Sequence, residues 1–375
     1  MELSREQVIE RLRAYVDMPS GSYDLTGLSA FISRVEADMR SLGFDVVRHS
    51  GQGVGDTLVC TYGSGSRTLL LLGHMDTVFT HENSQKLSVV DEDTVSGSGV
   101  MDMKGGLLIM QEALRRFLPT LPEEGKVVCV LSGDEEIGAG FSSSLISRCA
   151  KDAFACLSYE PMRESGALVR SRKGVISFTV RCTGISGHAG AAYLTSASAI
   201  QQLCVVINRL YTLRDDARNV SVNIGVIHGG TASNVVCDEA VCEGELRYYD
   251  PALTRLLLDQ LNAICSEEGV TGTHTQLTVH ASHPPFEANE KSGKLLALAQ
   301  KIAQSQGMEL PAEDTGGAGD IAYASIAGAA SLDGLGLHGT GMHTLHETGT
   351  ISSFMQNVKL SAALMQALFA DPDAI

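Results

Sequence analysis

The chain has 375 residues, and at about 150 residues per domain it is expected to hold two domains. Its 44% hydrophobic content is ample for packed cores, while 28 basic against 44 acidic residues give −16, which argues against nucleic acid or an anionic membrane as partner. The amino-terminal residues are charged and amphipathic with no apolar signal core, and no apolar run approaches ~18 residues, so a cytoplasmic protein is expected. Nine scattered cysteines without a CxxC pair read as buried reduced thiols.

Ser4 is placed to cap a first helix to about residue 16, and a second helix over 28–42 stops at Gly43. Residues 44–48 and 57–62 read as strands, and the apolar run 69–72 as a buried one. Gly73-His74-Met75-Asp76-Thr77 follows directly. A hairpin arm over 89–95 leads to the glycine-rich turn Gly97-Ser98-Gly99-Val100-Met101-Asp102, which feeds a helix over 107–117. Buried strands over 126–132 and 153–158 then end in Gly133-Asp134-Glu135-Glu136 and Tyr159-Glu160-Pro161. Strands alternating with helices imply a doubly wound, mostly parallel α/β sheet.

From about residue 174 the texture changes. Strands over 175–182, 219–227, 240–248 and 274–280 interleave with helices over 196–213 and 251–268. That order, βαββαβ, is the ferredoxin-like split βαβ module, expected as an inserted domain over 174–283. Pro284-Pro285 marks the return to the first domain, so residues 1–173 and 284–375 are expected to form the catalytic one. A helix over 290–306, the turn Thr315-Gly316-Gly317-Ala318-Gly319-Asp320, a strand over 330–335 and a helix over 352–369 complete it.

Open α/β sheets bind ligands at the carboxyl ends of their strands. Here those ends carry His74 and Asp76, Glu135 and Glu136, and Glu160, with Asp102 on its own loop. Singly, each has an ordinary reading, such as a helix cap. Together the carboxylates would repel one another unless a cation neutralised them. Two divalent ions sharing one carboxylate would do so. A dinucleotide reading of Gly97-x-Gly99-x-x-Asp102 fails, because the third glycine is replaced by an acid that repels a pyrophosphate. A glycosidase pair fails too, since adjacent Glu135 and Glu136 would not flank one bond.

Gly73-His74-Met75-Asp76-Thr77, Asp102-Met103-Lys104-Gly105-Gly106, Asp134-Glu135-Glu136, Glu160-Pro161, Gly187-His188-Ala189-Gly190 and Gly341-Met342-His343 occur in that order. In this set the chain resembles the di-zinc aminoacylase and carboxypeptidase family, which includes acetylornithine deacetylase, succinyl-diaminopimelate desuccinylase, peptidase T and glutamate carboxypeptidase. Within it, the bacterial glutamate carboxypeptidase branch is the one it most resembles. The resemblance implies that Asp102 bridges two metal ions. His74 and Glu160 would complete the ligands of one ion, Glu136 and His343 those of the other. Zinc suits imidazole and carboxylate, with cobalt or manganese as alternatives. Asp76 would orient His74 by accepting its ring N–H, and Glu135 would be the general base.

The resemblance further implies that His188 reaches across a homodimer interface of the inserted lid domain to stabilise the oxyanion. Asn234, after Gly229-Gly230-Thr231-Ala232-Ser233, and Arg247 match the family's substrate-binding pair. Arginine gives two-point recognition of a carboxylate, so the expected substrate is a small peptide or N-acyl amino acid with a free C-terminal carboxylate. His346, three residues after His343, is set aside because His343 follows the Gly-x-Gly-x-His pattern and has Glu347 four residues on. His81, His228 and His338 read as structural or solvated.

The chain departs from the family in places. Phe79-Thr80-His81 stands where a Pro and often a Trp are usual, Ser196-Ala197-Ser198-Ala199 replaces Gly-x-Asn-Ala, and Gly319 precedes Asp320 in place of Ser or Thr. His283 stands where glutamate-specific enzymes have an arginine. These departures surround the substrate and bear on specificity rather than on hydrolysis. The reading is a di-zinc carboxypeptidase-like metallohydrolase, with an N-acyl-amino-acid deacylase and a catalytically silent binding protein as alternatives.

Overall fold

The computed structural model of the chain describes residues 3–287, 289–371 and 375. Two compact units are present, one of Met1–Ser171, Ala288–Thr315 and Gly319–Ile375, the other of Arg172–Glu287 and Gly316–Ala318.

The first unit is built on a six-stranded sheet in the order Asp45–His49, Thr57–Tyr62, Gly125–Ser132, Arg67–His74, Ala153–Ser158, Ala330–Leu332. The first strand and the last four run one way, and Thr57–Tyr62, antiparallel to both its neighbours, runs the other. The sheet is therefore mixed, with one strand reversed in an otherwise parallel set. The cause is the short link between His49 and Thr57, which allows a hairpin but no crossover helix.

The central strand is apolar on both sides because both faces are covered. Leu69 and Leu71 join the main core with Val127, Cys129, Ala155 and Leu157, packed under helices Arg5–Val16, Gly105–Phe117 and Ile351–Ala370. Leu70 and Leu72 are equally buried on the opposite face, where helices Ser142–Ala150 and Ile321–Ile326 pack on the neighbouring strands. Helices on both faces make the sheet doubly wound and leave its strand ends open for polar side chains. Ser4 begins the first helix as expected, in a capping box with Gln7.

The second unit is a four-stranded antiparallel sheet in the order Ser221–Gly229, Glu239–Tyr248, Gly174–Thr183, His274–His283. In chain order, with helices Ala199–Leu210 and Leu253–Ser266, it runs βαββαβ. Ile176, Phe178, Val180 and Cys182 alternate inward to meet Leu203, Val206, Leu257 and Leu261 of those helices. Expected helix 196–213 begins later, because Ser198 caps it by accepting the Gln201 N–H.

All nine cysteines are free thiols, and Cys204 is exposed rather than buried. Among the described residues no helix is long and apolar enough to cross a membrane.

Candidate metal centre

His74 is the last residue of the central strand Arg67–His74 and is buried. Its Nδ1 lies 3.0 Å from the Asp76 carbonyl oxygen, with the Asp76 carboxylate further away at 3.5 Å. A carbonyl can only accept, so Nδ1 carries the proton and Nε2 is left to face the site. Nε2 is 3.0 Å from Asp102 Oδ1 and 3.6 Å from Glu160 Oε1. Glu160 follows the adjacent strand Ala153–Ser158.

Asp102 is carried on the turn between Gly99 and helix Gly105–Phe117, with extended backbone (φ −117°, ψ 96°) and a cis bond to Met103. Its second oxygen, Oδ2, lies 3.1 Å from His343 Nε2, which is also 3.4 Å from Glu136 Oε2. His343 adopts a left-handed backbone (φ 65°), unusual for a non-glycine residue and a feature that clusters at functional sites. One carboxylate thus faces two imidazoles, an oxygen to each. His74, Asp102 and Glu136 bring one ligand atom apiece within 4.8 Å of one another.

The Asp76 carboxylate is spent differently from expectation. It accepts the Glu135 and Glu136 backbone N–H groups at 3.2 and 3.1 Å and the Ser22 hydroxyl at 2.8 Å. The His74 ring proton goes mainly to the Asp76 backbone. Asp134 accepts from Phe141 and Ser142 N–H and so begins helix Ser142–Ala150.

Charge decides what this arrangement can hold. Burial, followed by Glu160, holds the Glu135 carboxyl well above its ordinary value, and burial followed by Asp102 raises Glu136. Burial opposes a charged His74, but Glu160, Asp102 and Asp76 outweigh it and hold the imidazole well above its ordinary value. Glu136 Oε1 is buried without a hydrogen-bond partner. Two imidazole nitrogens aimed at carboxylate oxygens, with an unpartnered oxygen beside them, need protons or cations between them. Imidazole and carboxylate are the donors that divalent zinc, cobalt or manganese take, so the residues fit such ions.

The model describing peptidase family M20/M25/M40 matches residues 70–367. The chain belongs to that family. It is similar to carboxypeptidase G2 of Pseudomonas sp. (strain RS-16), 30% identical over 371 residues, covering 97% of this chain and 89% of that protein. It is also similar to the succinyl-diaminopimelate desuccinylase of Stenotrophomonas maltophilia (strain K279a), 29% identical over 319 residues, covering 80% of this chain and 82% of that protein. Among solved structures, the M20 family metallo-carboxypeptidase Sso-CP2 of Sulfolobus solfataricus superposes with a TM-score of 0.77 at 15% identity, covering 97% of this chain and all (100%) of that one, a likeness of fold alone. As a member of the M20 family the chain is a hydrolase of the metallopeptidase and amidohydrolase kind, and divalent metal use goes with that membership.

Three expected M20 site residues lie in the second unit. The exposed His188 pairs its strand Gly187–His188 with Val235–Val236, and the Asn234 carbonyl accepts the Ala189 N–H at 3.0 Å, so these two residues are neighbours. His188 Nδ1 accepts from Gly190 and Ala191 N–H, both at 3.2 Å, which puts the proton of the neutral ring on Nε2. Arg247 forms a bidentate pair with Glu245 (2.7 and 3.0 Å) and donates to the Gly316 carbonyl at 2.6 Å. Arg247 and His283 flank Val175 from the two adjoining strands.

The sequence reading missed what holds the acids in place. Ser22 reaches the Asp76 carboxylate from 54 residues away, and nothing in Ser20-Gly21-Ser22 signals it. Lys104, buried, donates its Nζ to the Met18 carbonyl at 2.6 Å. Glu347 stands out in the sequence only by its spacing from His343. Of the histidines set aside, His81 lies 3.4 Å from Asp24 and His338 3.2 Å from the Glu164 carbonyl.

Proposed function

We propose that the chain hydrolyses the amide bond before a C-terminal amino acid bearing a free carboxylate, with two divalent ions, zinc by preference, held by His74, Asp102, Glu136, Glu160 and His343. The observation that carries this is the Asp102 carboxylate, with Oδ1 3.0 Å from one imidazole Nε2 and Oδ2 3.1 Å from the other. The chemistry such ions supply when bound is polarisation of a carbonyl and acidification of a water. Glu135 takes the proton as the water oxygen bonds to the carbonyl carbon. When the C–N bond breaks it returns that proton to the leaving amine. Asp76 fixes the Glu135–Glu136 turn through their N–H groups. His188 offers an Nε2–H to the developing oxyanion.

A large acyl portion is supported by a cavity of about 550 Å³ that Glu136 lines with Tyr23, Val78, Phe79, His81 and Ile137. An acetyl group would leave most of it empty. The second reading, an N-acyl-amino-acid deacylase, uses the same groups on a smaller acyl portion, and in either reading Arg247 would have to leave its pairing with Glu245 to meet a substrate carboxylate. Asn234 stands beside His188 as the other proposed substrate contact. The second unit reads as the lid and dimerisation domain, its edge strand Ser221–Gly229 exposing Val226 and Ile227. Free thiols throughout support a reducing, cytoplasmic setting.

The test is hydrolysis by zinc-loaded protein across N-acyl glutamate, acetylornithine, succinyl-diaminopimelate and plain dipeptides, with and without chelator. Chelator-sensitive cleavage is expected, greatest for large acyl groups on a C-terminal residue. Preference for a small acyl group would favour the deacylase. No cleavage by protein carrying two ions would contradict both readings.

A further inference from the structure

Glu347 is buried to 1% exposure, yet no basic side chain forms an ion pair with it among the described residues. Its carboxylate instead collects three backbone N–H groups from the turn that carries Asp102. Oε2 accepts from Gly99 at 2.9 Å, and Oε1 accepts from Met101 at 2.7 Å and Asp102 at 3.0 Å. Glutamine has one side-chain acceptor oxygen where this turn needs two, and its NH2 would face an N–H. The requirement for an acid is therefore geometric.

The main chain of Glu347 is tied down as well. Its N–H donates to the Thr344 carbonyl at 3.2 Å, closing the turn that presents His343, and its carbonyl accepts the Ser96 hydroxyl at 2.8 Å and the Gly97 N–H at 3.3 Å. One residue thus grips the backbone of Asp102 with its side chain and the turn of His343 with its backbone. Those are the two groups whose Oδ2 and Nε2 meet at 3.1 Å. His74, by contrast, is fixed independently, on a central strand and through Nδ1 to the Asp76 carbonyl.

We infer that Glu347 is a positioning residue that sets the distance between Asp102 and His343, and through it the affinity of the metal position that Glu136 and His343 share with Asp102. This rests on the two-ion reading proposed above. A residue that merely stabilised the loop would weaken both positions together, or neither.

The experiment titrates metal-free protein with zinc chloride by calorimetry, for the unsubstituted chain, Glu347→Gln and Glu347→Asp. The unsubstituted chain is expected to take two ions. In Glu347→Gln one position is expected to weaken about 10–100-fold, the scale for losing an outer partner of a metal ligand, while the other keeps its affinity. Glu347→Asp keeps both oxygens one methylene short, and is expected to weaken the same position by less. It carries the test if the glutamine variant does not fold. Equal weakening at both positions, or none at either, overturns the inference while leaving the two-ion reading intact. Fewer than two ions on the unsubstituted chain would overturn the two-ion reading and this inference with it.

Discussion

The Ser22 hydroxyl donates to the Asp76 carboxylate at 2.8 Å in a buried contact spanning 54 residues. The same hydroxyl lies 3.2 Å from the Thr77 carbonyl, and the Ser22 N–H donates to that carbonyl at 3.0 Å, so the segment is bound to the Asp76 loop along its length. Ser22→Ala removes a hydrogen bond to a charged acceptor. It is expected to cost about 1.5–3 kcal/mol in unfolding free energy, read by urea denaturation, and to lower turnover through the Glu135–Glu136 turn that Asp76 holds. A variant of unchanged stability would show that water replaces the hydroxyl.

Glu135→Gln keeps the backbone N–H that donates to Asp76 but removes the base. Turnover should fall by about 10²–10⁴, with metal content measured by atomic emission unchanged. Full activity in the variant would remove Glu135 from the proton transfer.

For His188, the two N–H groups on Nδ1 already fix which nitrogen bears the proton. Loss of its Nε2–H in His188→Ala should lower kcat by about 10²–10³ with little change in KM. Mixing this variant with Glu135→Gln should restore part of the activity if one site is built from two copies. A normal kcat would contradict the oxyanion role.

Without metal, stability should depend on pH in a defined direction. Burial pushes the Asp320 and Glu347 carboxyls up to about 7. Each binds its proton more tightly folded than unfolded, so stability falls as pH climbs from the ordinary carboxylate range to about 7. Hydrogen bonds to Asp102 and then Glu136 raise His343 to about 10, a stabilisation that is complete below 6.5 and lost as pH rises through about 10. Asp102, held well below its ordinary 3.8, contributes equally throughout this range. Lys104, lowered by burial to about 7, pulls the other way above that pH, so the Tm of metal-free protein should fall between about pH 5 and pH 7 and flatten above it, and zinc should raise it more at about pH 8 than at pH 5. Scanning calorimetry of the metal-free and zinc-loaded forms reads both. A metal-free Tm that rose with pH would contradict the assignment.

The parts of this molecule legible in its sequence are those set by local pattern. Leu69–Leu72 is apolar on consecutive residues because both faces of its strand are covered, and the acids that follow such runs do reach one sheet edge. Strand direction is not a local property. Residues 57–62 alternate the same way whether parallel or antiparallel, and only the short link from His49 decided it. Helix Ser142–Ala150 opens on three serines, yet the Phe141 and Ser142 N–H groups at its start are taken by Asp134, from the loop that also carries Glu135 and Glu136. Strand Leu168–Arg172 was missed because its partner, Ala312–Thr315, is mostly polar. The supports of the site, Ser22 and Glu347, act from far along the chain through hydrogen bonds that leave no periodic trace.

The most direct test of the central claim is the number of zinc ions held per chain after dialysis against zinc at low concentration, for the unsubstituted protein and for Asp102→Ala. Asp102 has an oxygen on each imidazole, so the account predicts two ions per chain and loss of both tight positions in the variant. A single ion in the unsubstituted chain, or two retained by Asp102→Ala, would contradict it.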